Sequence, residues 1–315
     1  MSENRDYRLM RQETAATKRD EFGADAVIVC DNLVKIYKIA DLEVVALQGL
    51  DLVVDEAEFI AVVGSSGSGK STLLNILGGL DTPSAGNVTV GGYDLLNMNG
   101  GDRTKYRRHM IGFVWQQTAR NLLPYLTALE NVEMPMALDG LSSRRRRARA
   151  MRLLELVGLA DRRDHKPSQL SGGEQQRVAI AIAVANVPAI ILADEPTGEL
   201  DTGTGTEVFD VLKTMNEEHR VTIVVVSHDP LVADHVDRTV AIRDGRTSSE
   251  VLRRTEIGDE GEHRIVAEEF ALLDRVGRLQ LPSEYVDILE MQRRVRLTLD
   301  PDHINIWPDR PNDES

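Results

Sequence analysis

The chain has 315 residues, 42% hydrophobic and 28% charged, with a formal net charge of −14. That length supports one large domain or two modest ones, and the acidic balance argues against a broad basic surface for nucleic acid. The single cysteine, Cys30, lies in the apolar run AVIVCDNL; it excludes an intrachain disulfide and reads as a buried thiol in a reducing compartment.

Residues 1–26 open with MSENRDYRLMRQETAATKRDEF, which is polar throughout, carries no secretory signal and reads as a flexible tail. AVIVCDNLVKIY and VVALQGLDLVV follow as strands, rich in continuous or alternating β-branched residues. EFIAVVG is a short buried strand that runs into GSSGSGKST, and LLNILGGL continues as an apolar helix. GNVTVGG and MIGFVWQ are further strands. From about 118 to 188 the pattern is helical, through TALENVEMPMAL, SSRRRRARAMRLLELVGLA and the helix that begins within LSGGEQQRVAIAIAVA. The most apolar stretch, VAIAIAVANVPAIILAD, is broken by Asn186 and Pro188 and is too short to span a bilayer. A membrane role must therefore come through a partner, and the chain reads as cytosolic. AIILADE and VTIVVVSHD suit central strands of a parallel sheet with functional residues at their carboxyl ends. TVAIRDGR reads as a closing strand and turn. Beyond Thr247 the segment TEIGDEGEHR is charged and glycine-bearing, which marks 251–269 as a linker.

GSSGSGKS, from Gly64 through Ser65, Ser66, Gly67, Ser68, Gly69 and Lys70 to Ser71, fits the phosphate-loop pattern between a strand and a helix. Its glycines let backbone N–H groups wrap an anion at a helix N-terminus. Lys70 is placed to neutralise the outer phosphates of a nucleotide, Ser71 to bind Mg²⁺ and Thr72 to assist at the inner phosphate. IILADE buries a strand whose tip presents Asp194, which would hold the hydrated Mg²⁺, and Glu195, which would orient and polarise the attacking water. His228 ends the next strand, within reach of the γ-phosphate. LSGGEQQR, a hundred residues downstream of the phosphate loop, supplies a serine hydroxyl, glycine amides and a helix start, a second donor cluster for an anion.

The set GSSGSGKST, LSGGEQQR, IILADEPTGELD and SHD resembles the nucleotide-binding subunit of ABC transporters, over about residues 27 to 250. The resemblance implies an α/β P-loop fold with a helical subdomain at about 118–188, and ATP with Mg²⁺ as its nucleotide and metal. It implies two copies packed head to tail, each ATP being covered by Ser171, Gly172, Gly173 and Glu174 of the other copy. It makes Gln116 a Mg²⁺ sensor linked to the membrane partner, Tyr37 the aromatic that stacks on adenine, and Asp201 part of the loop connecting the two sites. Trp115 stands where phenylalanine is usual, and Glu199 where asparagine or alanine is.

GFVWQQTARNLLPYLTALENVEMPM resembles the GFxFQxxxLLPxLTxxENVxxP run of the macrolide-export and lipoprotein-release branch, close to cell-division and bacitracin-type relatives. EPTGELD and LLNILGGLD point the same way. The branch implies a permease with four transmembrane helices per subunit, which exports or extracts hydrophobic substrates or passes a mechanical signal, with the ATPase peripheral on the cytoplasmic face. A soluble ABC ATPase acting on DNA or ribosomes is a different reading, but the paired domains and long coiled coils of those groups are lacking. The basic run SSRRRRARA reads as a solvated helix face or an attraction to anionic lipid headgroups.

Residues 270–315 regain apolar periodicity and read as a small, mainly β domain. DRVGRLQLP is a short strand, SEYVDILEM a helix with Ser283 as N-cap, and RRVRLTLD and HINIWP a hairpin about DPD. This is similar to the swapped-hairpin fold of AbrB-type regulators, which dimerise and often bind DNA. Residues 262–315 hold seven basic and twelve acidic side chains, a net −5 that disfavours phosphate backbones. The expectation is that this segment tethers two ATPase copies. The alternative, an ATPase switch for a DNA-binding tail, sits poorly with that charge.

Overall fold

The computed structural model describes residue 23 and residues 26–39, 42–257, 263–273, 277–292 and 294–308; the polar tail expected over 1–26 lies outside them except at 23 and 26. The chain runs β1 (Ile28–Ile39), β2 (Leu42–Val54), β3 (Phe59–Val63), α1 (Lys70–Leu77), β4 (Ala85–Val90), β5 (Tyr93–Asp94), α2 (Gly100–His109), β6 (Ile111–Val114) and α3 (Thr118–Asn121). It continues through α4 (Ala128–Leu138), α5 (Ser143–Leu156), α6 (Gly172–Ala183), β7 (Ile190–Asp194), α7 (Thr202–His219), β8 (Thr222–Ser227) and β9 (Arg238–Arg243). Last come β10 (Arg246–Ile257), β11 (His263–Ala271), α8 (Ser283–Ile288), β12 (Val295–Leu299) and β13 (Ile304–Pro308).

The central sheet has the order β11-β10-β9-β3-β8-β7-β6, parallel from β9 to β6. Its inner strands carry unbroken apolar runs because both faces are covered. On β3, Ile60 and Val62 join a core with α1 and the antiparallel sheet β2-β1-β4-β5, while Phe59 and Ala61 join a second core with α4, α5, α6 and α7. The parallel strands therefore end together at one edge, where the turns after β3, β7 and β8 meet. Cys30 is buried in the first core, where burial and then the Asp51 charge push its thiol up, as fits a structural thiol.

Two helices and two strands went unread in the sequence. Helix α7 opens on TGTGT, whose small residues hide its apolar stripe, and α2 buries only Tyr106. The supposed linker is an antiparallel ribbon: β9 turns at Asp244–Gly245, both left-handed (φ 51 and 72), into β10, which pairs with β11. A boundary at 250 thus falls inside β10, and 251–257 and 263–269 are strand. Both strands lie at the sheet edge beyond β9, so little selects apolar residues there; positions 258–262 lie outside the described residues.

Towards the C-terminus, DRVGRLQLP forms no strand among the described residues, only an isolated Leu273–Leu279 bridge. Helix α8 has Pro282, not Ser283, at its N-cap position. The hairpin forms as read, with Leu299 paired to Ile304. In the helical region Arg144, Arg145 and Arg147 are exposed on α5, the solvated face expected of the basic run.

Helix α4 starts on a capping box, the Thr127 hydroxyl accepting from the Glu130 amide at 3.2 Å and the Glu130 carboxylate accepting from the Thr127 amide at 2.8 Å. Thr127→Ala should cost about 1 kcal/mol, measured by denaturant unfolding. Hydrogen bonds from Thr127 hold the Glu130 carboxyl below its ordinary range. Its stabilising contribution is therefore complete above the usual glutamate pKa and disappears as pH falls through the lowered value. Glu130→Gln should flatten that part of the acid-unfolding profile.

Candidate functional site

The site is built where the turns after β3, β7 and β8 come together. Gly69 is left-handed (φ 107) and its Cβ position would strike Leu47 and the Ala46 carbonyl, so only glycine lets the loop enter α1 this closely. Gly67 is also left-handed (φ 80), with open space before it. Ser65, Ser66, Gly67 and Ser71 are exposed, whereas Lys70 is 7% exposed and donates to the carbonyls of Gly64 at 2.7 Å and Ser65 at 3.0 Å. An ammonium has three protons, so one remains for an anion. The Ser68 hydroxyl is buried with no protein partner, as expected of a group in an anion cradle.

At the tip of β7 the Asp194 carboxyl is raised above its usual range by burial first and then by the neighbouring Glu195 charge, against Lys70 and Arg120. Glu195 adopts a left-handed backbone (φ 44), rare for a non-glycine residue and typical of strained functional positions. Its amide donates to the Val226 carbonyl at 2.9 Å, which ties β7 to β8, and its Oε1 lies 2.8 Å from His228 Nδ1. Gly198 lies beneath: a Cβ there would sit 2.9 Å from Gln116 Nε2 and 3.5 Å from Glu195 Oε2. Gln116, Glu195 and His228 thus converge. A carboxylate oriented by an imidazole, at a glycine it shares with a glutamine amide, is equipped to hold and polarise a water.

Two features were missed. Between Gln116 and the LLP of the branch pattern this chain has five residues where the pattern has three, and the last four of them form α3. Helix α3 brings the Arg120 guanidinium 5.6 Å from the Trp115 ring, which stacks on Phe113. Arg120 is thereby a cation at the nucleotide side, close enough to oppose the upward shift of Asp194. The insertion was the available signal.

The second cluster lies apart. Among the described residues no hydrogen bond or ion pair joins 171–177 to 64–72; the loop is seated instead on the start of α7. Ser171 caps α6, accepting from the Glu174 amide at 3.2 Å, and Glu174 pairs with Arg162 at 3.1 Å. The Ser171 hydroxyl also bonds the Glu174 carboxylate, within the same capping box. Ser171 and Gly172 are exposed, but Gly173 is buried against the Thr204 methyl. Asp201 caps α7, accepting from the Thr204 amide at 3.0 Å and hydroxyl at 2.7 Å. The signature and GELD loops are therefore one packed unit.

Residues 47–198 match the family described as ABC transporter. An ABC transporter ATP-binding protein of Thermotoga maritima is 49% identical over 225 residues, covering 71% of this chain and 95% of that protein. The chain belongs to the ABC transporter ATP-binding family. It is an ATP-binding, ATP-hydrolysing cassette. The lipoprotein-releasing system ATP-binding protein LolD of Legionella pneumophila is 44% identical, over 70% of this chain and 96% of LolD. The macrolide export ATP-binding/permease protein MacB of Rhodopirellula baltica is 45% identical over 71% of this chain, which spans only 33% of MacB. Among solved structures, the dimeric post-hydrolysis state of the Methanocaldococcus jannaschii cassette MJ0796, bound to ADP and Pi, is similar at TM-score 0.65 and 45% identity, covering 71% of this chain and 97% of that one.

The cassette's own donors also suit a hard divalent cation. Among the described residues no three His, Cys, Asp or Glu side chains form a metal cage. Mg²⁺ needs none, since it takes one or two protein oxygens with phosphate and water. The Ser71 hydroxyl and the Asp194 carboxylate supply such oxygens. Among the described residues no helix is long and apolar enough to cross a membrane.

Proposed function

We propose that two copies of this cassette close head to tail on two ATP molecules and drive a MacB/FtsX-like permease with four transmembrane helices per subunit, from the cytoplasmic face, to export or extract a hydrophobic substrate. The observation that carries the reading is the division of the site. Lys70, Asp194, Glu195, Gln116 and His228 gather on one surface, while the exposed Ser171 and Gly172 donors, which a phosphate loop needs as a cover, are held apart on α6. A second copy is the source of that cover; the similar MJ0796 cassette is dimeric in a post-hydrolysis state bound to ADP and Pi.

In this mechanism the loop 64–69 and Thr72 cradle the phosphates, Lys70 neutralises them and Tyr37 stacks on adenine. Ser71, Asp194 and Gln116 would hold Mg²⁺, which would supply positive charge to offset that developing on the phosphates. Glu195 accepts the proton of the attacking water, held in place by His228. Ser171, Gly172, Gly173 and Glu174 contact the other copy's nucleotide, and Asp201, packed beneath them, transmits closure between sites. Purification of the tagged chain from native membranes in mild detergent should recover a stoichiometric permease with a large external domain. Recovery of soluble protein alone would remove the coupling role. A permease that only relays force to external enzymes would instead favour mechanical signalling.

The C-terminal segment serves as a tether between the copies. Val295, Leu297 and Leu299 share one face of the hairpin with Ile304, Ile306 and Pro308, and Leu299 is 81% exposed. A lone two-stranded hairpin is marginal in water, so such a face calls for a partner. An AbrB-like swapped dimer answers that need and keeps the subunits at high effective concentration between ATP cycles. A chain ending near Gly258 should be monomeric without nucleotide; dimers of that truncated chain would refute the tether.

A further inference from the structure

The run LLNILGGLD marked the branch in sequence, but nothing in the hydrolytic machinery uses its aspartate. Asp81 lies four residues past the end of α1, but its amide donates to the Asn75 carbonyl at 3.1 Å, so it is fixed to the helix that starts at the phosphate loop. Its two oxygens take different partners. Oδ1 accepts from Lys35 Nζ at 2.6 Å and from the Thr82 amide at 2.7 Å, while Oδ2 accepts the Tyr37 hydroxyl proton at 2.8 Å. Lys35 is 8% exposed, donates also to the Thr82 carbonyl at 2.9 Å, and lies 4.7 Å from the centre of the Tyr37 ring. The Tyr37 hydroxyl further meets the Thr72 side chain.

We infer that Asp81 and Lys35 are positioning residues for nucleotide binding, which lock the Tyr37 ring to the phosphate-binding helix and leave one face of it for the base. This rests on the reading of Tyr37 as the adenine platform. Each ring has two faces, and Lys35 Nζ covers one of them, so adenine meets the other. The hydroxyl is gripped from the side of α1 by Asp81, which fixes the ring plane relative to the phosphates that the same helix holds. An unclamped tyrosine would have to be ordered on each binding event, and that ordering weakens binding. Burial pushes the Asp81 carboxyl up, but the hydrogen bonds from Lys35, Tyr37 and the Thr82 amide outweigh it and keep the group ionised. A buried lysine beside a carboxylate is then a neutral pair rather than an uncompensated charge.

The test compares ATP with inorganic triphosphate, which has the phosphates and no base, by equilibrium titration of the full chain. Tyr37→Phe keeps the ring and frees it from Asp81 without stranding a charge. The double variant Asp81→Ala/Lys35→Met removes the clamp as a neutral pair. Each should weaken ATP about fivefold, the order expected for ordering one further side chain, with triphosphate affinity unchanged. The KM for ATP should rise likewise with kcat kept, a split that a general loss of fold does not give. Tyr37→Ala should weaken ATP more than either. If Tyr37→Ala leaves the ratio of ATP to triphosphate affinity unchanged, the platform reading itself fails. If it lowers that ratio but Tyr37→Phe and the double variant do not, the clamp is overturned and the platform stands.

Discussion

Glu195→Gln should abolish turnover and keep ATP bound. The substitution preserves shape and the contact with His228 but removes the oxygen basicity that takes the water's proton, and general-base loss typically costs 10² to 10⁴-fold. The phosphate loop and Lys70 are untouched, so ATP affinity is retained. With hydrolysis blocked, binding energy stays invested in the closed state. Single-turnover kinetics reads the loss of rate, and sizing chromatography with ATP should show a stable dimer where the wild-type chain reverts to its nucleotide-free form. Turnover near the wild-type rate would remove Glu195 from the chemistry.

Lys70→Met should lose nucleotide binding itself. The ammonium is nearly buried and holds two loop carbonyls, at 2.7 Å and 3.0 Å. Methionine fills the volume but leaves both carbonyls without a donor and the phosphates without a counter-charge. The lost charged hydrogen bond to the phosphates, at ~1.5 to 3 kcal/mol, predicts ATP binding at least tenfold weaker by calorimetric titration. The two carbonyls left without a donor belong to the folded chain itself, so the thermal midpoint should fall as well.

The strands that carry the site were legible because they are buried on both faces. FIAVV, IILAD and TIVVVS have apolar centres, and the last two end on a polar residue, Asp194 or Ser227. The phosphate loop was legible for a related reason: its glycines and lysine answer a local demand of backbone and charge. Burial was less legible at Gly173, whose role within one chain is to let Thr204 approach, a contact made by residues far along the chain. The convergence of Gln116 and Glu195 above Gly198 and the Lys35–Asp81–Tyr37 cluster are likewise long-range, and residue types at those positions announce nothing. The edge ribbon of β10 and β11 was misread because polar, charged strands obey the same composition as a linker when little is packed over them. Hydrogen-bond register, not sequence, distinguishes the two.

The central claim is that each ATP site is completed by the other copy, and mixing two inactive chains tests it most directly. Lys70→Met disables the phosphate loop. Gly172→Asp puts a carboxylate on the exposed signature loop, where it would repel phosphate while facing solvent in the free chain. Each variant alone should be inactive. Mixed dimers hold one site with an intact phosphate loop from one copy and an intact signature loop from the other, so combining the two should restore ATP hydrolysis. A mixture as inactive as its components would mean that both loops must belong to the same chain, contradicting the shared site.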